Sequence, residues 1–562
     1  MHILGVCDSQ DAGVALFDTE KSIITAINEE RLSRIKLVGG FPVKSILELF
    51  RISGIETKKI NLAVLASKMT PCYILRSLPA AHNKLRRRNG QFSFLLVLYI
   101  IYQIIARKSF ILEKIETALA NLYLRRKLKK IGIKCRTAVV EHHTAHAYAA
   151  YTMSGFDQAL IFTIDGLGDG VSFTVSIGEN GKIRRICEQS AFNDITLYYS
   201  RLTEFLGFKP IQDEGKVMGL AAYCGKTPNL GQAKNLLGSN NGRFNCRNLL
   251  FNLRKDKKYF QTLKTKNKEQ IAAYFQGHLE TEIVAVISYW IKKTGIRKIA
   301  LGGGAFANIK VNQKISELNE VDSVYICPHM GDGGLALGAV FSMLKCAPFQ
   351  PKDIFWGPSY SNEEIRTILD RCRIKFEFVD DIEKKTAVIL AQDKIVARFF
   401  GAMEYGPRAL GNRSILAQAT SAKIQGVLNK KLGRDEFMPF APSILDEYKD
   451  KCCLNTNKAE YSGNFMTISF NCTEYFKKNC PAVVHKDETT RPQFISKSNN
   501  IRFHRLIDEY RKIVGIPAIL NTSFNIHEEP IVCTPEDALN VFFKSGLDYL
   551  ALENFLIKRM DT

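Results

Sequence analysis

The run Glu141-His142-His143-Thr144-Ala145-His146-Ala147 places three histidines close together. On a helix, residues four apart share one face at one-turn separation, so His142 and His146 can aim two imidazoles at a common point while His143 is rotated away. The apolar run Ile161-Phe162-Thr163-Ile164 then ends at Asp165-Gly166-Leu167-Gly168-Asp169-Gly170. A carboxylate at a strand end stands where open α/β sheets carry their ligand chemistry, and Asp165 can close a His-His-Asp metal set. Asp332 offers a second strand-end carboxylate, in the turn Gly331-Asp332-Gly333-Gly334 that follows Val324-Tyr325-Ile326-Cys327. Two imidazoles with carboxylate oxygens suit iron, zinc or manganese better than magnesium or calcium.

These residues need a scaffold, and the pattern is that of an α/β protein. Residues 1 to about 65 resemble an actin-like or ribonuclease-H-like opening: strands at 3–7, 13–17 and 22–28, with the polar turn Asp8-Ser9-Gln10-Asp11 after the first. The charge run Glu29 to Lys36 reads as a solvated face. Segments 172–177 and 182–188 read as a hairpin through Gly178-Glu179-Asn180-Gly181. In Gln212-Asp213-Glu214-Gly215-Lys216, glycine lets the backbone approach a phosphate while the acids and the lysine orient it or a metal. A helical pattern over 269–294 leads to the strand Lys298-Ile299-Ala300-Leu301 and then Gly302-Gly303-Gly304, an order that presents free N–H groups to a nucleotide phosphate, with Asn308 and Asn312 one turn apart beyond it. Prolines and glycine between 346 and 360 mark a domain boundary, giving domains 1–350 and 351–562. In the second, Gly406-Pro407-Arg408-Ala409-Leu410-Gly411-Asn412-Arg413-Ser414 follows the strand 394–400 and resembles an oxyanion or phosphate cradle. His485, Asp487, Thr489, Arg491 and Gln493 alternate as they would on one strand face, and the strand 516–520 ends in Asn521-Thr522-Ser523-Phe524-Asn525.

The composition is that of a globular protein, with 46% hydrophobic and 24% charged residues over 562 positions. Its 14 cysteines form no C-x-x-C pair, so neither a zinc ribbon nor a disulfide scaffold is indicated, and the start lacks the pattern of an export signal. A reducing cytoplasm is the expected location. The formal charge of +22 favours acidic partners, and between Lys84 and Lys130 twelve Lys/Arg stand against two Glu, a net of +10. This segment, an insertion at about 75–130, contains the uncharged apolar run Gln91 to Ala106, shorter than the roughly 20 residues of a membrane span. Two accounts stay open: a helical hairpin lying peripherally on an anionic membrane, at the inner membrane surface, or a buried core helix with basic ends.

Taken together, Glu141–Ala147, Ile164–Asp169, Glu214–Ala221, Leu301–Asn312, Gly331–Ala339, Tyr405–Leu416, Pro439–Leu445 and Asn521–Asn525 with Pro530–Ala538 resemble the O-carbamoyltransferase family of nodulation-factor and antibiotic-tailoring enzymes. The resemblance implies an actin/sugar-kinase-like (duplicated ribonuclease-H-like) N-terminal domain and a YrdC-like α/β C-terminal domain. It further implies that carbamoyl phosphate yields carbamate, that ATP converts this to carbamoyladenylate, and that the carbamoyl group passes to a hydroxyl-bearing acceptor. By motif position, His142, His146, Asp165 and Asp332 fall at the metal, iron being the implied ion and magnesium accompanying ATP. Gly166, Glu214, Lys216, Gly303, Gly304 and Asn308 fall at the nucleotide, and Arg408, Arg413, Arg491, Asn521 and Ser523 at the carbamoyl phosphate site. Where the family has His-Asp in its first turn this chain has Gln10-Asp11, so Asp8, Asp11 and Asp213 become the catalytic candidates. Leu432 and Met438 stand where the family places a lysine and an arginine, which leaves Lys430, Lys431 or Arg434 as the expected substitute, Arg434 being the one placed at the carbamoyl phosphate site. Two other functions fit the motifs: a nucleotide-binding regulatory protein with reduced catalysis, and a tRNA threonylcarbamoyl transferase. No nucleic acid partner is expected under the leading reading, and the oligomeric state stays open.

Overall fold

The computed structural model describes residues 1–78, 94–225, 236–246, 261, 263–433 and 440–559. The chain forms two compact units, Met1–Glu29 with Leu37–Gln350, and Glu30–Lys36 with Pro351–Thr562.

Among the described residues, the first unit holds two five-stranded sheets of one plan. β1 (His2–Cys7), β2 (Gly13–Asp18), β3 (Ile23–Asn28), β4 (Ile60–Ala66) and β5 (Arg136–Val140) lie in the order β3-β2-β1-β4-β5. β1 to β3 form an antiparallel meander, while β4 and β5 run parallel to β1. β6 (Gln158–Gly168), β7 (Val171–Glu179), β8 (Lys182–Ser190), β9 (Lys298–Gly302) and β10 (Ser323–Ile326) repeat this order as β8-β7-β6-β9-β10 with the same directions. Such a repeat defines a duplicated ribonuclease-H-like, actin/sugar-kinase-like fold. The β7–β8 hairpin turns at Asn180 and Gly181 with φ of 50° and 73°, the left-handed pair that matches the twist of the flanking strands.

Four helices of this unit matter for the site: α1 (Phe94–Lys108), α2 (Phe110–Lys130), α3 (His142–Thr152) and α4 (Leu335–Leu344). α3 begins where Glu141 accepts the Thr144 N–H at 2.7 Å, and its alanines leave a thin face. α4 packs on α3 and on β1. A Cβ on Gly338 would lie 1.9 Å from the Ala145 carbonyl oxygen, and one on Gly5 would lie 1.9 Å from that of Ala336. Glycine is therefore required at both crossings, since any side chain would push α4 off its neighbours. α1 is buried through Ile100, Gln103, Ile104 and Ala106, and among the described residues no helix is long and apolar enough to cross a membrane.

In the second unit an eight-stranded mixed sheet supplies the α/β fold expected there. Its strands are β11 (Glu377–Phe378), β12 (Val396–Phe399), β13 (Arg413–Gln418), β14 (Ala441–Leu445), β15 (Gln493–Ile495), β16 (Ala518–Ser523), β17 (Tyr549–Leu552) and β18 (Phe555–Lys558), in the order β11-β18-β17-β12-β13-β16-β14-β15.

Three local expectations are corrected. The run Glu29 to Lys36 is no solvated face: Glu30 and Arg31 are buried, Arg31 Nη2 donates to the Gly406 carbonyl at 2.7 Å, and Arg34 donates to the carbonyls of Ile531 and Pro530, each at 2.7 Å. Residues 485–493 do not share one strand face, because a turn closes from Glu488 N–H to the His485 carbonyl and Glu488 takes φ of 62°. Asn521 lies inside β16 rather than beyond it, so it is a mid-sheet residue and not part of a turn.

Gly338→Val should destabilise the protein by about 1–3 kcal/mol, the usual cost of overpacking a core contact, read from the shift of a urea unfolding curve.

Candidate metal and nucleotide site

Each part of the cluster has a local cause. The β6–β7 pairing is interrupted between Ile164 and Gly168, and this bulge turns Asp165 out of the ladder. α3 presents His142 and His146 one turn apart, and the short turn Asp332–Gly334 ahead of α4 brings in the second carboxylate. His142 Nε2 lies 3.6 Å from Asp165 Oδ2 and 3.5 Å from Asp332 Oδ1. His146 Nε2 lies 2.8 Å and 3.8 Å from the same two atoms. All four ligand atoms fall within 4.8 Å of one another, and among the described residues this is the one such group.

The fit to a metal ion can be tested on these atoms. Ligand bonds of about 2.0–2.2 Å to one ion set neighbouring ligand atoms roughly 3–4 Å apart, which is the spacing found. His142 Nε2 is buried without a hydrogen-bond partner, while its Nδ1 meets Ser67 Oγ at 2.8 Å, so the ring is held from behind with its other nitrogen facing the carboxylates. Burial draws the His142 pKa down, but the Asp332 and Asp165 charges outweigh it and push it up to about 9. Asp165 is held well below the ordinary carboxylate range by the two imidazoles despite its burial. A cation at the centre would satisfy both carboxylates and both rings, so the residues fit a divalent transition metal. His143 belongs to the core, as its rotation on the helix requires: it meets Thr163 Oγ1 at 2.7 Å and the Val171 carbonyl at 3.0 Å, and burial lowers its pKa to about 3.

The turn glycines gather on the same carboxylate. Gly166 N–H donates to Asp165 Oδ1 at 2.7 Å, and a Cβ on Gly304 would lie 3.4 Å from that atom. Gly303, with φ of 97°, lies so close to Ile164 that a Cβ would come within 2.2 Å of its carbonyl oxygen. Asn308 is tied down differently. It caps the helix Ile309–Ser316 and exchanges amide hydrogen bonds with Gln276, at 2.9 and 3.0 Å, and Gln276 also accepts from Tyr199 Oη at 2.5 Å. Asp213, Glu214 and Lys216 stand together at the start of the helix Glu214–Ala221. Asp213 pairs with Lys216 at 3.3 Å, and Glu214 accepts from Ser200 Oγ at 3.0 Å, with its pKa raised by burial.

Of the first-turn acids, Asp8 is not available as a base. It is buried in a two-pronged pair with Arg76, at 2.9 and 3.2 Å, whose other N–H groups reach the Lys68 and Ser67 carbonyls. Its role is to hold the strand ends. Asp11 is placed differently, at φ of 57°, with its Oδ2 3.6 Å from His329 Nε2. Asn28 directs its amide nitrogen at the Asp11 and Gly333 carbonyls, at 3.2 and 3.4 Å, so its Oδ1 faces His329 Nε2 at 3.1 Å. The amide oxygen facing it makes Nε2 the protonated ring nitrogen of His329. A Cβ on Gly333 would meet both the His329 ring, at 2.1 Å, and Asp11 Oδ2, at 2.4 Å, so the pair closes over the residue next to Asp332. Ser9 Oγ donates to Asp332 Oδ2 at 2.9 Å and locks the first turn to the same place. Sequence reasoning missed His329, whose signal was a histidine three residues before a candidate ligand. It also missed Asp169, whose carboxylate accepts from the N–H groups of Lys68, Met69 and His142 at 2.7–2.9 Å.

In the second unit the candidates divide. Asn521 donates to Ser443 Oγ at 2.9 Å, to Gln493 Oε1 at 3.0 Å and to the Ala409 carbonyl at 3.4 Å, and its buried Oδ1 has no hydrogen-bond partner. The adjoining Arg408 has a buried Nε without one, and burial lowers its pKa to about 10. Buried polar atoms left in this state can be satisfied by a bound ligand, an ion or water. Ser523 donates to Asn525 Oδ1 at 2.5 Å, and Arg491 lies half-buried ahead of β15. Arg413 spends most of its guanidinium on the loop: Nη1 and Nη2 donate to the carbonyls of Phe400, Asn412, Pro358 and Gly401, the group stacks 3.6 Å above the Phe399 ring, and of its nitrogens the buried Nε has no hydrogen-bond partner. It rivets the cradle loop from beneath. Arg434 lies outside the described residues, as does Met438.

A duplicated ribonuclease-H-like unit carrying two histidines and two aspartates at one point, followed by a separate α/β unit, defines a two-part enzyme of the actin/sugar-kinase-like class. The chain belongs to the carbamoyltransferase family: residues 2–341 match the family's N-terminal part and residues 387–559 its C-terminal part. It is 32% identical over 575 residues to an uncharacterized protein of Methanocaldococcus jannaschii, covering 99% of this chain and 100% of the relative. A second uncharacterized protein of that organism is 33% identical over 607 residues, covering 98% of each chain. Nodulation protein NolNO of Sinorhizobium fredii is 30% identical over 571 residues, covering 97% of this chain and 79% of the relative.

Protein purified from iron-supplemented cells should carry about one equivalent of a transition metal by inductively coupled plasma mass spectrometry, and His146→Ala or Asp332→Asn should lose it. Arg76→Met should cost about 3–5 kcal/mol in urea unfolding, because it strands the buried Asp8 charge.

Proposed function

We propose that this chain is an ATP-dependent O-carbamoyltransferase that moves a carbamoyl group from carbamoyl phosphate, through carbamoyladenylate, to a hydroxyl of a sugar, glycan or other metabolite. The observation that carries this reading is the convergence of His142, His146, Asp165 and Asp332 with the turn glycines 166, 303 and 304 on one place, in a chain of the carbamoyltransferase family. The four side chains would hold a divalent ion, with iron first in order of expectation. Such an ion supplies a Lewis acid for carbamoyl or phosphoryl oxygens.

The chemistry divides between the units. Arg408, Arg491, Asn521 and Ser523 bind carbamoyl phosphate in the second unit, where the partnerless atoms of Arg408 and Asn521 await an oxyanion and an amide. Carbamate is a poor electrophile. Joining it to ATP with loss of pyrophosphate gives a mixed anhydride whose leaving group is AMP. In the first unit the turn at Gly304, where a Cβ would meet nothing but Asp165, would take the nucleotide phosphate, with Glu214 and Lys216 as further nucleotide-binding residues. The acceptor hydroxyl then attacks the carbamoyl carbon, AMP leaves, and the hydroxyl proton passes to His329. Asp11 beside its Nε2 stabilises the imidazolium that forms, the arrangement of an aspartate–histidine base. This pair occupies the role that Gln10 cannot fill.

The test is mass spectrometry of a panel of sugars and glycans after incubation with protein, ATP and carbamoyl phosphate. A gain of one carbamoyl group with release of pyrophosphate is expected, and neither event across the panel would count against the reading. His329→Ala should lower kcat by about a hundredfold or more and flatten the acidic limb of the pH–rate profile, with partial rescue by added imidazole.

A further inference from the structure

The geometry points to a membrane-docking face on the first unit, formed by α1 and α2 and fitted to a bilayer with anionic headgroups. The two helices divide their residues sharply between inside and outside. On the inner side Gln103 is fully buried and bonded three ways: it donates to the Met69 carbonyl at 3.0 Å and accepts from Thr70 Oγ1 at 3.0 Å and from Gly170 N–H at 3.2 Å. Gly170 follows Asp169, the residue that receives the His142 N–H, so the hairpin is anchored to the wall of the metal cluster. Arg107 continues the anchorage through Glu188 at 2.7 Å to Arg185 and Glu141.

The outer side is apolar where a soluble helix would be polar. Leu98 and Ile105, seven residues apart on α1, are 45% and 54% exposed. On α2, Phe110, Ile111, Ile115 and Leu122 are 70%, 69%, 48% and 40% exposed. Spacings of four and seven put Ile111, Ile115 and Leu122 on one face, and the same face runs on into exposed Arg125, Arg126 and Lys129. α1 likewise ends its exposed face in Lys108. Scattered apolar residues are ordinary on a surface, but a row of them along one helix face that runs on into cations reads as an interaction face.

Charge chooses the partner. Both acids of the hairpin are turned away from this face: Glu113 pairs with Lys68 at 2.7 Å and Arg107 at 3.1 Å, while Glu116 is buried, accepting from the Tyr73 N–H and the Tyr102 hydroxyl. What remains outward is apolar and positive, the composition that seats a helix among acyl chains with its cations at phosphate level. Among the described residues α1 has 15 residues and spans about 22 Å, short of the roughly 30 Å hydrocarbon core, and no described helix is long and apolar enough to cross, so the proposal seats the hairpin on the bilayer surface.

Flotation of the full chain with vesicles rich in phosphatidylglycerol, and with vesicles of phosphatidylcholine alone, tests this directly. The protein should float with the anionic vesicles and not with the neutral ones, and added salt should weaken the association. Arg125→Glu with Arg126→Glu and Lys129→Glu should reduce binding by at least about tenfold, and Phe110→Ser with Ile111→Ser should do the same at an unchanged thermal midpoint. Ile111→Asp alone serves as the second apolar variant if the double substitution fails to fold. Absence of anionic flotation, or flotation unchanged by both sets, overturns the proposal. So does a dimer in light scattering that the serine variant makes monomeric, since a second copy would then cover the face. Vesicle binding is read without any transferase assay, so its failure leaves the carbamoyl reading standing, and the converse holds.

Discussion

The first unit answers to one electrostatic constraint, the gathering of two carboxylates and two imidazoles in a space where their ligand atoms lie within 4.8 Å. Charges removed from water cost several kcal/mol each unless neighbours satisfy them. The surroundings meet that cost from separate directions. Ser67 holds the rear nitrogen of His142, Ser9 holds Asp332, and the Gly166 amide holds Asp165. Glu141 caps α3 and is itself held by Arg185 at 2.5 Å, so the helix that carries both histidines starts from a fixed ion pair. The glycine crossing at Gly338 then sets how near the Asp332 turn can come.

Part of this was legible before any coordinates. The four-residue spacing of His142 and His146, the strand-end aspartates and the order of strands and glycine turns all express local rules, and the duplicated sheet repeats those rules twice. What escaped is non-local. Nothing near Asp11 announces His329; the pair exists because Asn28 and His329, 301 residues apart, are brought together by the packing of the turn after β10. Misassignment had a related cause. An arginine in a glycine-rich turn reads the same whether its fork receives a ligand or backbone carbonyls, and Arg413 takes the carbonyls. Asp8 failed in the same way, since its partner Arg76 belongs to a segment with no motif of its own.

Three residues at the cluster adopt a backbone conformation that side chains disfavour. Asp11, Ser67 and Asp169 have φ of 57°, 74° and 52°. Such strain persists where the surroundings over-determine it, and each of these residues makes a contact that depends on it: Asp11 with His329, Ser67 with His142, and Asp169 with three backbone N–H groups. Stability given up in the turns is returned as orientation of the ligands and of the base.

The segment Glu30–Lys36 carries a consequence for how the molecule is made. Arg31 and Arg34 are made well before the carbonyls they serve, at Gly406 and Pro530, which are 375 and 496 residues further along. Two guanidinium groups thus remain without their final acceptors until those later residues are made. The second unit therefore draws on two stretches far apart in the sequence, and its interior closes only once the later one has been made.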